Sequence, residues 1–288
     1  MQNCLLNWDV MSLNINQALQ WSIITLGAHQ DAVRDTEILL QHTLNVNRAY
    51  LYAHNDNVLT NNQLATYQSI VEQRMKGVPI AYLLGKRDFW TLTLNVTPDT
   101  LIPRPETEQL VELALTHLAA DRPLSVLELG TGSGAIALAL ASERPNWQIS
   151  ACDKQQAALN VARGSAQTLG FNHIEWVQSD WFQAFGKRLF HAIIANPPYL
   201  SQQDPHLQQG DLRFEPQNAL VSSQEGFADL QCIIKQAHKH LLPNGLLLLE
   251  HGYDQQLKIQ TMLHSSEYKN VQSWQDIQGH QRVIGGWR

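Results

Sequence analysis

The chain has 288 residues, a formal net charge of −6 and 44% hydrophobic residues, which is enough for one large domain and a smaller one. The acidic balance argues against strong non-specific affinity for nucleic acid. The three cysteines, Cys4, Cys152 and Cys232, show no CxxC spacing, and the longest early apolar run, residues 21–26, is too short to span a membrane. These features predict a cytoplasmic protein without a disulfide framework, a metal site or a membrane segment.

Residues 1–78 are predicted to form a small helical domain. Apolar residues recur at helical spacing from Asn14 to Gly77, and new helices begin after Asp31 and near Thr60. Such a bundle either packs against a larger domain or recognises a macromolecular substrate.

Residues 79–104 are predicted to be a linker that contains a β-hairpin. Apolar and polar residues alternate between Leu92 and Val96, which is the period of a strand. Prolines and acids then mark the start of a helix. Arg104 and Glu106 in this stretch are either ordinary surface charges or a pair at the rim of a site.

Residues 105–288 are predicted to form an α/β domain, because strand and helix patterns alternate from Leu124 onward. This alternation is typical of a parallel, doubly wound, Rossmann-like sheet. The predicted strands lie at 126–129, 149–152, 174–178, 190–195 and 246–250, with a final pair near Val271 and at 282–284.

A glycine-rich loop between the first of these strands and its helix predicts a nucleotide-like cofactor. The loop consists of Gly130, Thr131, Gly132, Ser133 and Gly134. Its glycines allow a tight turn and a close approach of the backbone to a ligand. Asp153 ends the next strand about 20 residues later, the spacing at which a carboxylate accepts hydrogen bonds from ribose hydroxyls.

The loop also satisfies a relaxed GxGxxG/A pattern, so a nicotinamide cofactor has to be weighed against S-adenosylmethionine. Glu128, immediately before the glycines, suits a cationic amino-acid group and would lie too close to a pyrophosphate. Asp180 and Trp181, at the end of the third strand, offer polar and aromatic groups for adenine. Both features favour S-adenosylmethionine. A nucleoside triphosphatase is disfavoured, because GxxxxGK[ST] is absent from the sequence.

The tetrapeptide Asn196-Pro197-Pro198-Tyr199 follows the buried strand at 190–195 and is predicted to lie where open α/β sheets bind ligands. Its two prolines supply no N–H group and leave their carbonyls free beside the Asn196 amide oxygen and the Tyr199 ring. Such a turn suits a substrate that presents an NH₂ group. The alternative is a rigid Pro-Pro loop with Asn196 as a turn former.

In this order, the glycine loop, Asp153, Asp180-Trp181 and the tetrapeptide resemble class I S-adenosylmethionine-dependent methyltransferases that act on amino groups. Further segments resemble the HemK/PrmC family of release factor glutamine methyltransferases over nearly the whole chain. These segments are Gly-Lys-Arg-Asp-Phe-Trp at 85–90, Ile-Pro-Arg-Pro-Glu-Thr-Glu at 102–108, Phe-Glu-Pro at 214–216 and Glu-His-Gly at 250–252.

The resemblance implies methyl transfer from S-adenosylmethionine, with S-adenosylhomocysteine as the product, to the glutamine amide in the Gly-Gly-Gln loop of class I peptide chain release factors, in support of translation termination. It implies a substrate-recognition role for residues 1–78, a monomeric enzyme and no requirement for nucleic acid. The residues that it implies for the cofactor are Gly130, Thr131, Gly132, Ser133, Gly134, Asp153, Asp180, Trp181 and Asn196.

For the substrate, the resemblance implies the four residues from Asn196 to Tyr199. An amide nitrogen is a poor nucleophile, so the site has to hold both N–H groups and aim the nitrogen at the methyl carbon. The Asn196 oxygen and the Pro197 carbonyl are expected to do this, with Tyr199 against the planar amide, and these three residues are the expected catalytic group. The proton can leave after transfer, so no general base is assigned.

Two other methyl-transfer activities would use the same acceptor turn and remain as alternatives. Exocyclic amines of nucleic acid, at adenine N6 or guanine N2, are also planar NH₂ donors, and a ribosomal-protein glutamine is a further alternative. The absence of a basic run and of a large inserted recognition domain disfavours nucleic acid. His251 and His280 have no partner at metal or triad spacing, so structural roles are expected for both.

Overall fold

The computed structural model describes residues 12–27 and 31–288, so Cys4 lies outside the described residues. The chain divides into two compact units, of which the first ends at Leu84 and the second is Gly85–Arg288. The boundary therefore follows the first few residues of the predicted linker, and the hairpin of that linker belongs to the second unit.

The first unit is helical, as its apolar spacing predicts. Its helices are α1 (Ile15–Leu26), α2 (Ala32–Leu44), α3 (Arg48–Ala53), α4 (Asn61–Met75) and α5 (Ile80–Leu84). Asn14 and Thr60 begin α1 and α4 with capping boxes, in which each side chain accepts a hydrogen bond from the third helical residue. The five residues of α5 were not predicted as a helix, because so short a segment shows no periodicity.

The second unit begins with the hairpin β1 (Lys86–Phe89) and β2 (Leu92–Asn95), which pair antiparallel. Seven further strands form one sheet: β3 (Ser125–Leu129), β4 (Gln148–Asp153), β5 (Glu175–Gln178), β6 (Phe190–Ala195), β7 (Leu241–Glu250), β8 (Lys269–Gln275) and β9 (Gln281–Trp287). The helices of this unit are α6 (Glu108–His117), α7 (Ala135–Glu143), α8 (Gln156–Leu169), α9 (Gln217–Leu220), the single turn α10 (Ser223–Gly226), α11 (Ala228–His240) and α12 (Gln256–Ser265). Short 3-10 helices occupy Pro105–Thr107, Pro205–Gln208 and Gly210–Phe214.

The sheet has the order β5-β4-β3-β6-β7-β9-β8, and its first five strands are parallel. The prediction of a parallel sheet was wrong for β9, which runs antiparallel between β7 and β8. A connection of five residues joins β8 to β9, and parallel neighbours need a crossover of a dozen or more residues, so only an antiparallel pair can form there.

The chain order reverses beside β3, because β4 and β5 lie on one side of this strand and β6 lies on the other. Open α/β sheets bind ligands at this kind of switch point. Leu129 pairs with Cys152 and with Ala195, and Ala195 pairs with Leu249. The residues that follow, which are Gly130, Asp153, Asn196 and Glu250, therefore lie side by side at the carboxyl edge.

The inner strands β3 and β6 are buried over most of their length, which explains why both are mainly hydrophobic in sequence. Helix α7 covers one face and is buried from Ala135 to Ala141. Helix α11 buries Leu230, Ile233 and Ile234 in the cluster on the other face. None of the helices described is long and apolar enough to cross a membrane.

Candidate active site

A cavity of about 280 Å³ opens at the carboxyl edge of β3, β4 and β6. It brings together most of the residues that the sequence predicts for cofactor and substrate. The predicted residues that line it are Gly130, Thr131, Gly132, Ser133, Asp153, Asp180, Trp181, Asn196 and Pro198, together with Glu128. Gly134, Pro197 and Tyr199 do not belong to this lining, and Pro197 is buried.

The glycine loop forms the strand-to-helix turn that the sequence predicts. Gly130, Gly132 and Gly134 all have positive φ, which L side chains rarely adopt. A Cβ on Gly134 would lie 3.0 Å from the Ala162 Cβ and 3.1 Å from the Trp176 ring. This glycine therefore permits close packing at the start of α7, while the loop before it borders the cavity.

Glu128 is a buried carboxyl group in the wall of the cavity. Its Oε2 accepts hydrogen bonds from the Thr131 hydroxyl at 2.6 Å and from the Ala137 amide at 3.0 Å. Burial nevertheless raises its pKa to about 8. Among the residues described, no Lys or Arg pairs with Glu128, so a cationic ligand in the cavity would favour the ionised form of this carboxyl group.

Asp153 joins the end of β4 to the glycine loop. Its Oδ2 accepts a hydrogen bond from the Gly132 amide at 3.0 Å, and its Oδ1 accepts one from the Gln155 amide at 2.8 Å. A carboxylate oxygen has two lone pairs, so each oxygen can still accept a hydroxyl from a ligand in the cavity. Burial raises the pKa of Asp153, and these backbone hydrogen bonds oppose the shift.

Trp181 has a positive φ of 48°, and its indole ring lies close to the glycine loop. Its indole Nε1 donates to Asp229 Oδ1 at 3.2 Å. A Cβ built on Gly130 would lie 3.4 Å from its ring. The ring is thus fixed beside the glycine loop. Asp180 lines the cavity too, and its Oδ2 accepts from Lys154 Nζ at 2.8 Å.

Asn196 is oriented by a neighbouring hydroxyl group. Its Nδ2 donates to Thr107 Oγ1 at 3.1 Å, and Thr107 Oγ1 donates to Glu250 Oε2 at 2.7 Å. The Tyr199 hydroxyl donates to the other oxygen of Glu250, at 3.3 Å. No hydrogen bond within residues 12–27 and 31–288 reaches Asn196 Oδ1, which leaves this oxygen as an acceptor for a ligand.

The backbone of Tyr199 is fixed from a different direction. Its carbonyl accepts a hydrogen bond from Gln255 Nε2 at 3.0 Å. Gly226, with a φ of 88°, approaches the same carbonyl so closely that an added Cβ would lie 2.1 Å from its oxygen. Leu200 also exchanges backbone hydrogen bonds with Leu220 and Ser222. The Tyr199 end of the tetrapeptide is therefore fixed by its neighbours on these other segments.

Arg104 does not pair with Glu106. Its guanidinium donates to Glu215 Oε1, and Glu215 Oε2 accepts from the Ile102 amide at 3.0 Å. The Glu215 side chain is fully buried. This carboxylate thus ties the segment before α6 to the loop that follows the tetrapeptide, and Pro103 and Asn218 from these two stretches line the cavity.

Neither predicted structural histidine lines the cavity. His251 is buried, and its Nδ1 lies 2.7 Å from the Gly252 carbonyl. His280 is half exposed and lies 3.9 Å from Asp276. The residues described contain no group of three or more His, Cys, Asp or Glu side chains able to hold a metal ion, and both of their cysteines, Cys152 and Cys232, are free.

Sequence reasoning missed the parts played by Thr107, Asp229 and Glu250. Thr107 and Glu250 were noted only as members of the resembling segments. Glu250 ends a strand next to β6, so the strand order, had it been derived, would have placed it beside Asn196. Asp229 carries no signal beyond its place in the first turn of a helix.

Two family models match the chain. The PrmC N-terminal domain matches residues 17–85, and the methyltransferase small domain matches residues 107–213. A release factor glutamine methyltransferase of Shewanella oneidensis is 46% identical over 275 residues, which are 95% of this chain and 96% of that protein. That of Escherichia coli strain K12 is 45% identical over 268 residues, or 93% and 96% of the two chains.

A solved structure shows the same fold at low sequence identity. The 16S rRNA N2 G1207 methyltransferase of T. thermophilus, in complex with AdoMet and guanosine, has a TM-score of 0.55 and 18% identity to this chain. The match covers 70% of this chain and 49% of that one.

The mostly parallel sheet, with a glycine loop after β3 and an acid at the end of β4, defines a class I methyltransferase. Identity above 40% over almost the full length of both chains narrows this class to a family. The chain belongs to the release factor glutamine methyltransferase family.

The residues around the cavity fit the S-adenosylmethionine that this class uses. Glu128 offers a buried carboxyl group that an ammonium group would hold in its ionised form, Asp153 offers acceptors for ribose hydroxyls, and Trp181 offers an aromatic surface beside the loop. We expect Asp153→Ala to weaken S-adenosylmethionine binding by about 1.5–3 kcal/mol, the scale for hydrogen bonds to a charged group. Calorimetry measures this change, and circular dichroism shows whether the variant is folded. Unchanged affinity in a folded variant would remove Asp153 from the cofactor site.

Proposed function

We propose that the protein transfers a methyl group from S-adenosylmethionine to the side-chain amide nitrogen (N5) of the glutamine in the Gly-Gly-Gln motif of class I peptide chain release factors, with S-adenosylhomocysteine as the second product. The observation that carries this proposal is the free acceptor Asn196 Oδ1, held in the same cavity as Glu128 and Asp153. The names of the curated relatives supply the class of substrate. S-adenosylmethionine, when bound, supplies an electrophilic methyl group on its sulfonium.

The chain itself has to orient a weak nucleophile. Asn196 Oδ1 accepts one N–H of the substrate amide, and the Pro197 carbonyl is the proposed acceptor for the other. Holding both hydrogens fixes the plane of the amide and aims the nitrogen lone pair, so the bound pair reacts as one unit. Burial raises the pKa of Tyr199 far above neutrality, so it stays a neutral phenol that donates to Glu250.

Because the site presents hydrogen-bond acceptors, glutamine, whose side-chain amide donates, is the proposed substrate. An ionised glutamate carboxylate has no N–H to donate and would face Asn196 Oδ1 with a second acceptor. It also lacks the nitrogen that receives the methyl group. We therefore propose that a release factor with glutamate at the target position is not methylated.

Incubation with methyl-labelled S-adenosylmethionine tests the substrate class directly. The acceptors are a class I release factor, the same factor with the target glutamine replaced by glutamate, ribosomal RNA or DNA, and ribosomal proteins. Label in the first acceptor alone supports the proposal. Label in RNA or DNA would instead identify a nucleic-acid amino-methyltransferase, and label in a ribosomal protein would identify a different protein substrate.

We further propose that the enzyme acts as a monomer in the cytoplasm without nucleic acid, since the proposed substrates are proteins of the translation machinery. Sedimentation of the purified protein tests the oligomeric state. Nuclease treatment before the methylation assay tests whether nucleic acid contributes, and cell fractionation tests the location.

We also propose that the first unit recognises the release factor. This unit has its own core, in which Leu39, Leu51 and Tyr67 are fully buried, and the described residues that line the cavity all belong to the second unit. A variant that begins at Gly85 is expected to retain affinity for S-adenosylmethionine but to methylate intact release factor at least about 10-fold more slowly, which corresponds to the loss of about 1.4 kcal/mol of binding.

Cofactor affinity in that variant reports whether the second unit has folded. A peptide that carries the Gly-Gly-Gln sequence is the matched substrate, because it is too short to contact a separate domain. If the shortened enzyme methylated intact factor at the full-length rate, the first unit would have no part in recognition.

A further inference from the structure

Thr107 is the last residue of the 3-10 turn at 105–107 and directly precedes α6. Its own φ of −67° and ψ of −21° are helical, so its side chain is not placed to cap α6 and makes no capping hydrogen bond. The buried hydroxyl is instead engaged with Asn196 and Glu250, the latter 143 residues further along the chain. The hydroxyl is therefore engaged with residues of the site and has no part in capping the helix.

The single hydrogen of the Thr107 hydroxyl determines which partner donates and which accepts in its hydrogen bonds with Asn196 and Glu250. A threonine hydroxyl has one hydrogen, and Thr107 gives it to Glu250 Oε2 at 2.7 Å. Only lone pairs remain on Thr107 Oγ1, so the amide of Asn196 has to turn its NH₂ end toward it, at 3.1 Å. The oxygen end of Asn196 is then the end left for a ligand.

We infer that Thr107 and Glu250 are positioning residues that hold the Asn196 amide with Oδ1 toward the substrate, and so determine that the site accepts a hydrogen-bond donor. This inference rests on the proposed function for the identity of the substrate. The chain of hydrogen bonds from Asn196 through Thr107 to Glu250, called the relay below, is present in the protein without substrate. If Asn196 turned over, Nδ2 would face the NH₂ group of the glutamine, donor against donor.

The charged groups around Glu250 make the relay dependent on pH. Burial raises the pKa of Glu250 to about 7, while hydrogen bonds from Thr107 and Tyr199 and the charge of Arg282 lower it and Glu106 raises it. Above this pKa the carboxylate only accepts, which fixes the relay. Below it, Oε2 is able to donate, the Thr107 hydroxyl is released, and Asn196 loses its fixed orientation. Methyl transfer is therefore expected to rise as the pH passes upward through about 7.

The matched variants Thr107→Val and Thr107→Ser test the inference. Valine keeps the shape and removes the hydroxyl, and neither change removes a helix cap. We expect Thr107→Val to lower the single-turnover rate about 5- to 100-fold, the effect of leaving an amide N–H without its acceptor. We expect Thr107→Ser to stay within about fourfold of the wild type, which allows for one buried methyl group. Affinity for S-adenosylmethionine is expected to be unchanged in both.

The pH profile is a second readout, measured at saturating S-adenosylmethionine so that titration of Glu128 in the empty site does not contribute. The inflection near pH 7 is expected in the wild type and in Thr107→Ser. It is expected to vanish in Glu250→Gln, whatever rate that variant has, because its amide does not ionise. An inflection that persisted in Glu250→Gln, or equal rates in Thr107→Val and Thr107→Ser, would overturn the inference.

A readout without activity separates this inference from the proposed function. The side-chain NH₂ resonances of Asn196, assigned by their loss in Asn196→Ala, are expected to include a downfield, hydrogen-bonded proton in the wild type and in Thr107→Ser but not in Thr107→Val. If that pattern holds while the wild type fails to methylate release factor, the proposed substrate is wrong and the relay stands. If the resonances are the same in all three proteins, the relay is wrong.

Discussion

Replacement of Asn196 by alanine is expected to lower the single-turnover rate of methyl transfer by at least about 10²–10³, the cost of removing one preorganised polar group from a catalytic site. The variant loses the Oδ1 acceptor that orients the substrate amide. S-adenosylmethionine affinity is expected to fall much less, because Glu128 and Asp153 keep their places. Assays at saturating cofactor separate orientation from binding.

Asn218→Ala is the matched control for this variant. Asn218 also lines the cavity, but it is exposed, and among the described residues its side chain forms no hydrogen bond with Thr107 or Glu250. Its removal is expected to have a much smaller effect on turnover. Near wild-type turnover in Asn196→Ala, or equal losses in both variants, would contradict the role assigned to Asn196.

Gly226→Ala is expected to lower methyl transfer by at least about 10²-fold without touching the cavity, since a displacement of about 1 Å at a reacting group costs that much. The new Cβ would lie 2.1 Å from the Tyr199 carbonyl oxygen, and this oxygen also accepts from Gln255. Backbone atoms cannot yield as a flexible side chain can, so the turn that carries Asn196 has to move. Turnover and S-adenosylmethionine affinity are measured together, because they show whether the substrate-binding tetrapeptide or the cofactor site is disturbed.

Gly186→Ala is the control that separates the contact of residue 226 with Tyr199 from the backbone strain of a positive φ. Gly186 has a φ of 54°, also in the left-handed region, but an added Cβ there meets no atom within 4 Å. Both variants therefore carry backbone strain, and only Gly226→Ala displaces the tetrapeptide. A loss of turnover of the same size in both would show that strain, and not the contact with Tyr199, is responsible.

The buried parallel strands were predictable because each has to be apolar on both faces and is short. The run from Ala192 to Ala195 is such a strand, and Asn196 follows it at the carboxyl edge as predicted. The glycine loop was equally predictable, because the positive φ of Gly130, Gly132 and Gly134 depends on the residue type at each position.

Contacts between distant residues were not predictable from one sequence. Arg104 meets Glu215 across 111 positions, and Glu106, the nearer partner considered from the sequence, does not form that pair. Glu250 lies beside Asn196 because β7 pairs with β6, and Thr107 bonds to this carboxylate from 143 positions away, which periodicity does not reveal. The direction of the Tyr199 side chain depends on the same carboxylate, so its hydroxyl bond to Glu250 was beyond sequence reasoning as well.

The central claim concerns one nitrogen atom, and mass spectrometric mapping of the methylated residue tests it most directly. A class I release factor is incubated with the enzyme and methyl-labelled S-adenosylmethionine, digested and sequenced. One methyl group is expected, on the side-chain amide nitrogen of the glutamine in the Gly-Gly-Gln motif. A methyl group on any other residue, or an unmodified factor in the presence of an enzyme that binds its cofactor, would contradict it.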